Sequence, residues 1–191
     1  HHVENNQEDD ASSTLKYKRD SLWHFLKYVG RFLLIGPTET FLYLFNRKRK
    51  KLYMRLSVGE VSFYIFCVAM CFVNFKATLM IFIVPLVFAR IVMMLGNWAQ
   101  HSFIDKTNPE DNFTSAINCI NTKYNKMCWN DGYHTVHHLR PAMHYTEIPG
   151  EFLKLKDEFA AKKSLIFDGV HYLHIFIWLM TKRYDKLADN L

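Results

Sequence analysis

The chain has 191 residues, half of them apolar and 16% aromatic, which excludes disorder over most of its length. Charged residues still make up 22%, so the mean hydropathy is only slightly negative (−0.10) and the apolar residues must be gathered into blocks. The net charge of +6 is uneven: six basic residues crowd into 47–55 beside apolar segments, which points to a membrane surface before nucleic acid, and four cysteines without C-x-x-C spacing exclude a disulfide scaffold and read as reduced structural thiols.

The sequence opens on His1-His2 with neither Met nor a signal peptide. This pair reads either as the end of a histidine motif or as a tag remnant. Residues 3–20 are polar and read as loop or a short solvated helix. In 21–46, His24, Lys27 and Arg31 recur at spacings of three and four on an otherwise apolar helix that Gly36-Pro37 interrupts. Such a helix lies in a bilayer interface or covers a soluble core.

The next two segments decide between those readings. Residues 56–75 contain only Glu60 as a charge, and 77–95 only Arg90. A helix rises about 1.5 Å per residue, so roughly 20 residues cross a hydrocarbon core. Both segments are just long enough. Asn74-Phe75-Lys76 between them is short enough only for an antiparallel hairpin, with a buried hairpin of a soluble protein as the alternative. The basic block before the first span places both hairpin ends on the cytosolic side. Residues 96–191 then form a cytosolic cap. Residues 106–163 are loop-rich, with helical patterns at 133–139 and 149–163. Residues 165–180 are apolar but carry Asp168, His171 and His174, and read as a half-buried or interfacial helix. The expected fold is all-α: an integral membrane helical hairpin with interfacial helices and a histidine-rich cap.

Ten histidines stand in the chain. Neutral imidazole is the commonest transition-metal ligand, so convergence is the feature to look for. His134, His137 and His138 stand at i, i+3 and i+4, on a helix that Asn130 or Asp131 can cap and that would turn all three rings to one face. Asn97 and His101 stand at i and i+4 just beyond the second apolar segment.

Together these elements resemble the membrane fatty acid desaturases, whose motifs run H-x-x-x-x-H, H-x-x-H-H, N-x-x-x-H and H-x-x-H-H. Asn97–His101 is similar to the third motif, and His134, His137 and His138 to the fourth. His1 and His2 fall where the second motif would end. The resemblance implies one desaturase domain over 1–191, incomplete at its N-terminus: 1–20 end the middle box and its loop, 21–46 are interfacial, 56–95 the hairpin and 96–191 the cap. It implies two iron ions (Fe2+) held by His1, His2, His101, His134, His137 and His138, with Asn97 acting through a water. Spacing alone does not choose iron over zinc or copper. The implied reaction is oxygen-dependent desaturation of a long-chain acyl group on coenzyme A or a glycerolipid. Its partners are a fatty acyl substrate, the lipid bilayer and an external electron donor, cytochrome b5 or a ferredoxin, with no nucleic acid. The implied location is the endoplasmic reticulum with the site facing the cytosol, or a chloroplast membrane. Three family histidines are absent from these residues, which implies that they alone are inactive. A hydroxylase on the same scaffold and a non-catalytic membrane metal-binding protein are the alternatives.

Glu4, Asp9, Asp10 and Asp131 read as acceptors for ligand ring N–H groups or as solvated charge. His144 reads as lying near the metal or as a cap of the following segment, His171 and His174 as packed histidines, and His24 as facing solvent or headgroups. Trp98, Trp129 and Trp178 line an acyl tunnel or belt the interface; the sequence leaves both open.

Overall fold

The computed structural model describes residues 6, 7, 10–105, 108 and 111–191, so His1, His2, Glu4 and Asp9 lie outside the described residues. The chain is mostly helical and divides into two compact units, 29–94 and a second made of 1–28 with 95–191.

Helix α1 (Leu22–Leu34) stops before Gly36-Pro37, and Pro37 opens α2 (Gly36–Asn46), where its fixed φ and missing N–H cost nothing. Arg31 and Glu39 pair across this break at 2.6 Å. Helix α2 ends in a Schellman turn: the N–H groups of Lys48 and Arg49 donate to Phe45 O and Leu44 O at 3.0 and 2.9 Å, and Lys48 takes the left-handed conformation (φ 56°). Tyr53 on the next helix packs on Phe41 and Phe45, with ring centroids 4.4 and 5.7 Å away.

Helix α3 (Lys50–Thr78) continues through a π-helical turn, Leu79–Ile83, into α4 (Val84–Gln100). Of the expected turn Asn74-Phe75-Lys76, only Asn74 leaves helical geometry (φ −156°, ψ 98°); its Oδ1 accepts from Ala77 N at 3.0 Å, so the helix restarts at once. Large apolar side chains point outward here, Phe72 88% and Val73 77% exposed. Among the described residues one helical stretch, Lys50–Gln100, is long and apolar enough to cross a membrane.

The second unit is built from short helices: α5 (Asn112–Ser115), α6 (Lys123–Met127), α7 (His134–Leu139), α8 (Ile148–Lys154), α9 (Lys156–Ala161), α10 (Tyr172–Met180) and α11 (Tyr184–Asp189). Asp111 and Thr122 cap α5 and α6 by accepting from Phe113 N and Tyr124 N at 3.0 and 3.3 Å. The all-α expectation needs one correction: β1 (Asn118–Ile120) and β2 (Ile166–Asp168) form a parallel pair. Three residues are too few to show a period of two, and the pairing is fixed by burial of Ile117, Cys119 and Phe167 in one core with Ile175 and Leu179. The expected helix over 165–180 is likewise divided. Its first part is β2, Gly169 turns the chain at φ 71°, and the helix begins only at Tyr172. A second core gathers Phe113, Val136, Ile148, Phe152 and Phe159 beneath α7.

Candidate metal centre

The C-terminal turn of α4 and the whole of α7 carry the site. The loop 10–19 lies against the α4 end: Arg19 Nε donates to His101 O at 3.3 Å, and Trp98 Nε1 donates to Arg19 O at 3.0 Å. Trp98 is fully buried, and Arg19 stacks on its ring at 5.7 Å. Burial in this setting pulls the Arg19 guanidinium down to about 10.

Helix α7 is positioned from a distance. The expected caps, Asn130 and Asp131, do not cap it; Tyr133 holds the N-cap position without a side-chain bond. Asn118 on β1 does this work instead, accepting from Thr135 N at 3.1 Å and donating to Thr135 Oγ1 at 3.0 Å. The tight turn before α7 lets Asn118 reach it. Gly132 there has no room for a Cβ, which would strike Cys119 O and the Asn125 side chain.

These supports bring His101, His134 and His138 together. All three are buried, each offers a nitrogen, and the three nitrogens lie within 4.8 Å of one another. The ring centroids are 5.3 Å (101–134), 5.1 Å (101–138) and 4.7 Å (134–138) apart. The Nε2 atoms of His134 and His138 face each other at 3.2 Å. His101 Nδ1 lies 2.7 Å from the Ser115 carbonyl, which only accepts, so Nδ1 carries the proton and Nε2 keeps its lone pair. Burial, with His134 nearby, pushes the His101 imidazole down to about 3, so it stays neutral and able to ligate at working pH.

Asp131 supports the cluster. Its Oδ1 lies 3.4 Å from His134 Nδ1, a buried atom with no hydrogen-bond partner of good geometry, so the contact is a loose electrostatic one. Its Oδ2 accepts from Gln100 Nε2 at 2.9 Å and from Tyr124 OH at 3.4 Å. Burial raises the Asp131 carboxyl, but His134 and His137 outweigh it and hold the group below its usual range. A ligand histidine whose other nitrogen faces a carboxylate, beside two more imidazoles, is a donor set that suits a divalent transition metal.

Not every expected ligand lies in this group. His137 is half-buried, its ring 5.8 Å from that of His134, and it lines a cavity of about 610 Å3 together with Asp131, Trp129, Met143, Tyr145 and Ile148. Among the described residues, the group within 4.8 Å contains two of the three expected rings of this helix, His134 and His138, together with His101. Asn97 is buried one turn before His101, and its amide nitrogen donates to Tyr28 OH at 2.7 Å and Ser12 O at 3.0 Å. Tyr28 OH donates in turn to Ser12 O at 3.0 Å. Both amide hydrogens are therefore used, and Oδ1 is the atom left to accept.

Three other histidines, His24, His171 and His174, serve the backbone. His171 Nδ1 accepts from Leu173 N at 3.2 Å and His174 Nδ1 from His171 N at 3.3 Å, a capping box on α10. His24 Nδ1 accepts from Lys18 N, and His144 Nδ1 pairs with Thr146 Oγ1 at 2.7 Å. Asp10 closes a local turn on Ser12 N and Asn6 N at 2.8 and 3.2 Å. Of the tryptophans, Trp98 is core, Trp178 packs against the first core cluster, and Trp129 is exposed at the cavity. The supporting residues Asn118, Ser115, Gln100 and Tyr28 carry no spacing signal, because each acts across a long sequence separation.

No curated protein and no solved structure matches the chain. Residues 1–169 match the model of the family described as fatty acid desaturase, and the chain belongs to that family.

Proposed function

We propose that the chain is a membrane-embedded, iron-dependent acyl desaturase over 1–191, removing two hydrogens from a long-chain acyl group on coenzyme A or a glycerolipid. The observation that carries this reading is the set of three buried histidine nitrogens within 4.8 Å of one another in a chain of the desaturase family. His101, His134 and His138 hold one iron ion. His137, at the cavity wall, and Asn97, through a water accepted by its Oδ1, serve a second, together with His1 and His2. Bound iron supplies the activation of dioxygen that an unactivated C–H bond requires. The protein keeps the His101 imidazole neutral, sets the Asp131 carboxylate beside His134 Nδ1, and offers a mostly apolar cavity beside His137 for the acyl chain. Two electrons come from outside, from cytochrome b5 or a ferredoxin.

In the same reading 21–46 lies in the bilayer interface, 56–75 and 77–95 cross as an antiparallel hairpin, and 96–191 is a cytosolic cap at the endoplasmic reticulum or, in a plant cell, the chloroplast membrane. Supporting the hairpin, Arg90 Nη2 lies 2.8 Å from Glu60 Oε1, and the Phe66 and Phe82 rings are 5.1 Å apart. A straight helix would hold positions 60 and 90 about 45 Å apart. The pair also cancels the only two charges within the proposed spans, which a hydrocarbon core demands.

The test is expression in yeast lacking its own desaturase, with analysis of unsaturated acyl chains beside iron content. The protein as its gene encodes it is expected to give product, and the same protein carrying His138→Ala none. Equal product from both sinks the assignment. For topology, a glycosylation acceptor placed at Lys76 is expected to be modified in microsomes and one at Asn108 not; the reverse pattern overturns the orientation.

A further inference from the structure

The elbow between α2 and α3 is unlike the rest of the first unit. Lys48, Arg49, Lys50, Lys51 and Arg55 are all exposed, and Arg47 stacks on Tyr43 at 5.5 Å. The segment 29–94 contains two carboxylates, and both are committed elsewhere, Glu39 to Arg31 at 2.6 Å and Glu60 to Arg90 at 2.8 Å. No acidic residue occupies the first turn of α3 either, so the helix dipole adds to the positive potential of the elbow. The turn also sets a lysine where glycine is the easy choice, since Lys48 is the left-handed residue of the Schellman motif. The backbone thus bears a local strain at a position whose side chain is a solvent-facing cation. Around it lie exposed Phe45 and Met54, 60% and 50% accessible, and the Phe41–Tyr53–Phe45 stack fixes the angle between the two helices.

A rigid cationic knuckle flanked by outward apolar side chains fits a surface whose apolar layer lies directly beneath an anionic one. We infer that this elbow is a docking surface for the anionic phospholipid headgroups of the bilayer in which the chain sits, with Lys48, Arg49, Lys50, Lys51 and Arg55 meeting the phosphates and Phe45 and Met54 entering the acyl boundary. The inference rests on the membrane reading above and adds lipid selectivity to it. Attraction of one basic residue to an anionic leaflet is worth about fivefold in association, so four such residues leave a large measurable preference even after mutual screening.

The experiment reconstitutes the full chain in phosphatidylcholine vesicles containing trace spin-labelled phosphatidylcholine or spin-labelled phosphatidylserine. The motionally restricted fraction of each label is read by electron paramagnetic resonance. Wild-type chain is expected to restrict the phosphatidylserine label several-fold more than the phosphatidylcholine label, with the excess lost at about 1 M salt, where screening reaches about 3 Å. The Lys48→Gln, Arg49→Gln, Lys50→Gln, Lys51→Gln variant, which keeps Arg55, is expected to lose most of the preference. A charge-conserving variant, Lys48→Arg, Arg49→Lys, Lys50→Arg, Lys51→Arg, is expected to keep the preference, which controls for folding and insertion. Equal restriction of both labels by wild-type chain, or an undiminished preference in the glutamine variant, overturns the elbow. Absence of any restricted component for either label instead removes the membrane reading, a result distinct from loss of selectivity.

Discussion

Segment 29–94 and the histidine-bearing unit meet the same demand, a partner for every buried polar group, in opposite ways. The first uses long helices that satisfy their own backbones and turn side chains such as Phe72 and Val73 outward. The second uses helices of four to nine residues from α5 onward, in which most backbone groups lie in an end turn. Side chains must complete them: Asp111, Thr122, Asn118 and His171 each accept from a helix-terminal N–H. Precision at His101, His134 and His138 therefore comes from a few long-range bonds, and single substitutions should matter far more there than along the apolar helices.

The largest effect that tests this contrast is Gly132→Ala. A Cβ at that turn strikes a backbone carbonyl, which cannot yield as a flexible side chain would, so a loss of about 3 kcal/mol or more and a broad melting transition are expected. Gly59→Ala in α3 meets nothing within 4 Å and is expected to be neutral or to stabilise by up to about 1 kcal/mol. Comparable melting losses at both positions would erase the distinction between the units.

Next is Asp131→Asn, which keeps the shape but removes the carboxylate beside His134 Nδ1. Iron affinity, measured by competition with a chelator, is expected to fall roughly 10–100-fold. An unchanged affinity would mean that Asp131 serves only Gln100 and Tyr124.

Acid should act on the histidine unit. Unfolded His101 titrates near 6.5, whereas the folded group does so at about 3. Between those values the unfolded chain holds the extra proton, so stability rises with pH and is lost on acidification from 6.5 toward 3. One such group gives a slope of about 1.4 kcal/mol per pH unit, and His137, shifted the same way by burial, adds to it. Denaturant titrations of metal-free chain at pH 7 and pH 5 measure this. A flat profile contradicts a buried neutral His101.

The smallest expected effect is that of Tyr28→Phe, which removes one of two acceptors holding the Asn97 amide. A cost of about 1 kcal/mol is expected, with Asn97 still tied to Ser12 O. A larger change in the spectrum of bound iron than in stability would show that Tyr28 sets which Asn97 atom faces the metal.

The two units also differ in how far their sequence announces them. Gly36-Pro37 marks its own break, and 56–95 shows its apolar length in composition alone, because those properties are local. The i, i+4 pair His134 and His138 is equally local. Their third partner is not: His101 joins them through the packing of the α4 end, while His137, adjacent in sequence, lines the cavity. Asn118 caps a helix sixteen residues on, and β1 pairs with a strand more than forty residues away. Neither leaves a periodic trace. The division of 165–180 follows from Gly169 and from the extended backbone of His171, a cap whose imidazole is easily mistaken for part of the helix it precedes.

Iron content of membrane-reconstituted chain, wild-type against single alanine variants, tests the central claim most directly. His101→Ala, His134→Ala and His138→Ala are each expected to lose iron, while His24→Ala and His171→Ala, whose rings serve the backbone, retain it. Full retention of iron by His134→Ala, or equal loss in His171→Ala, would contradict the assignment of the metal to the buried three-histidine cluster.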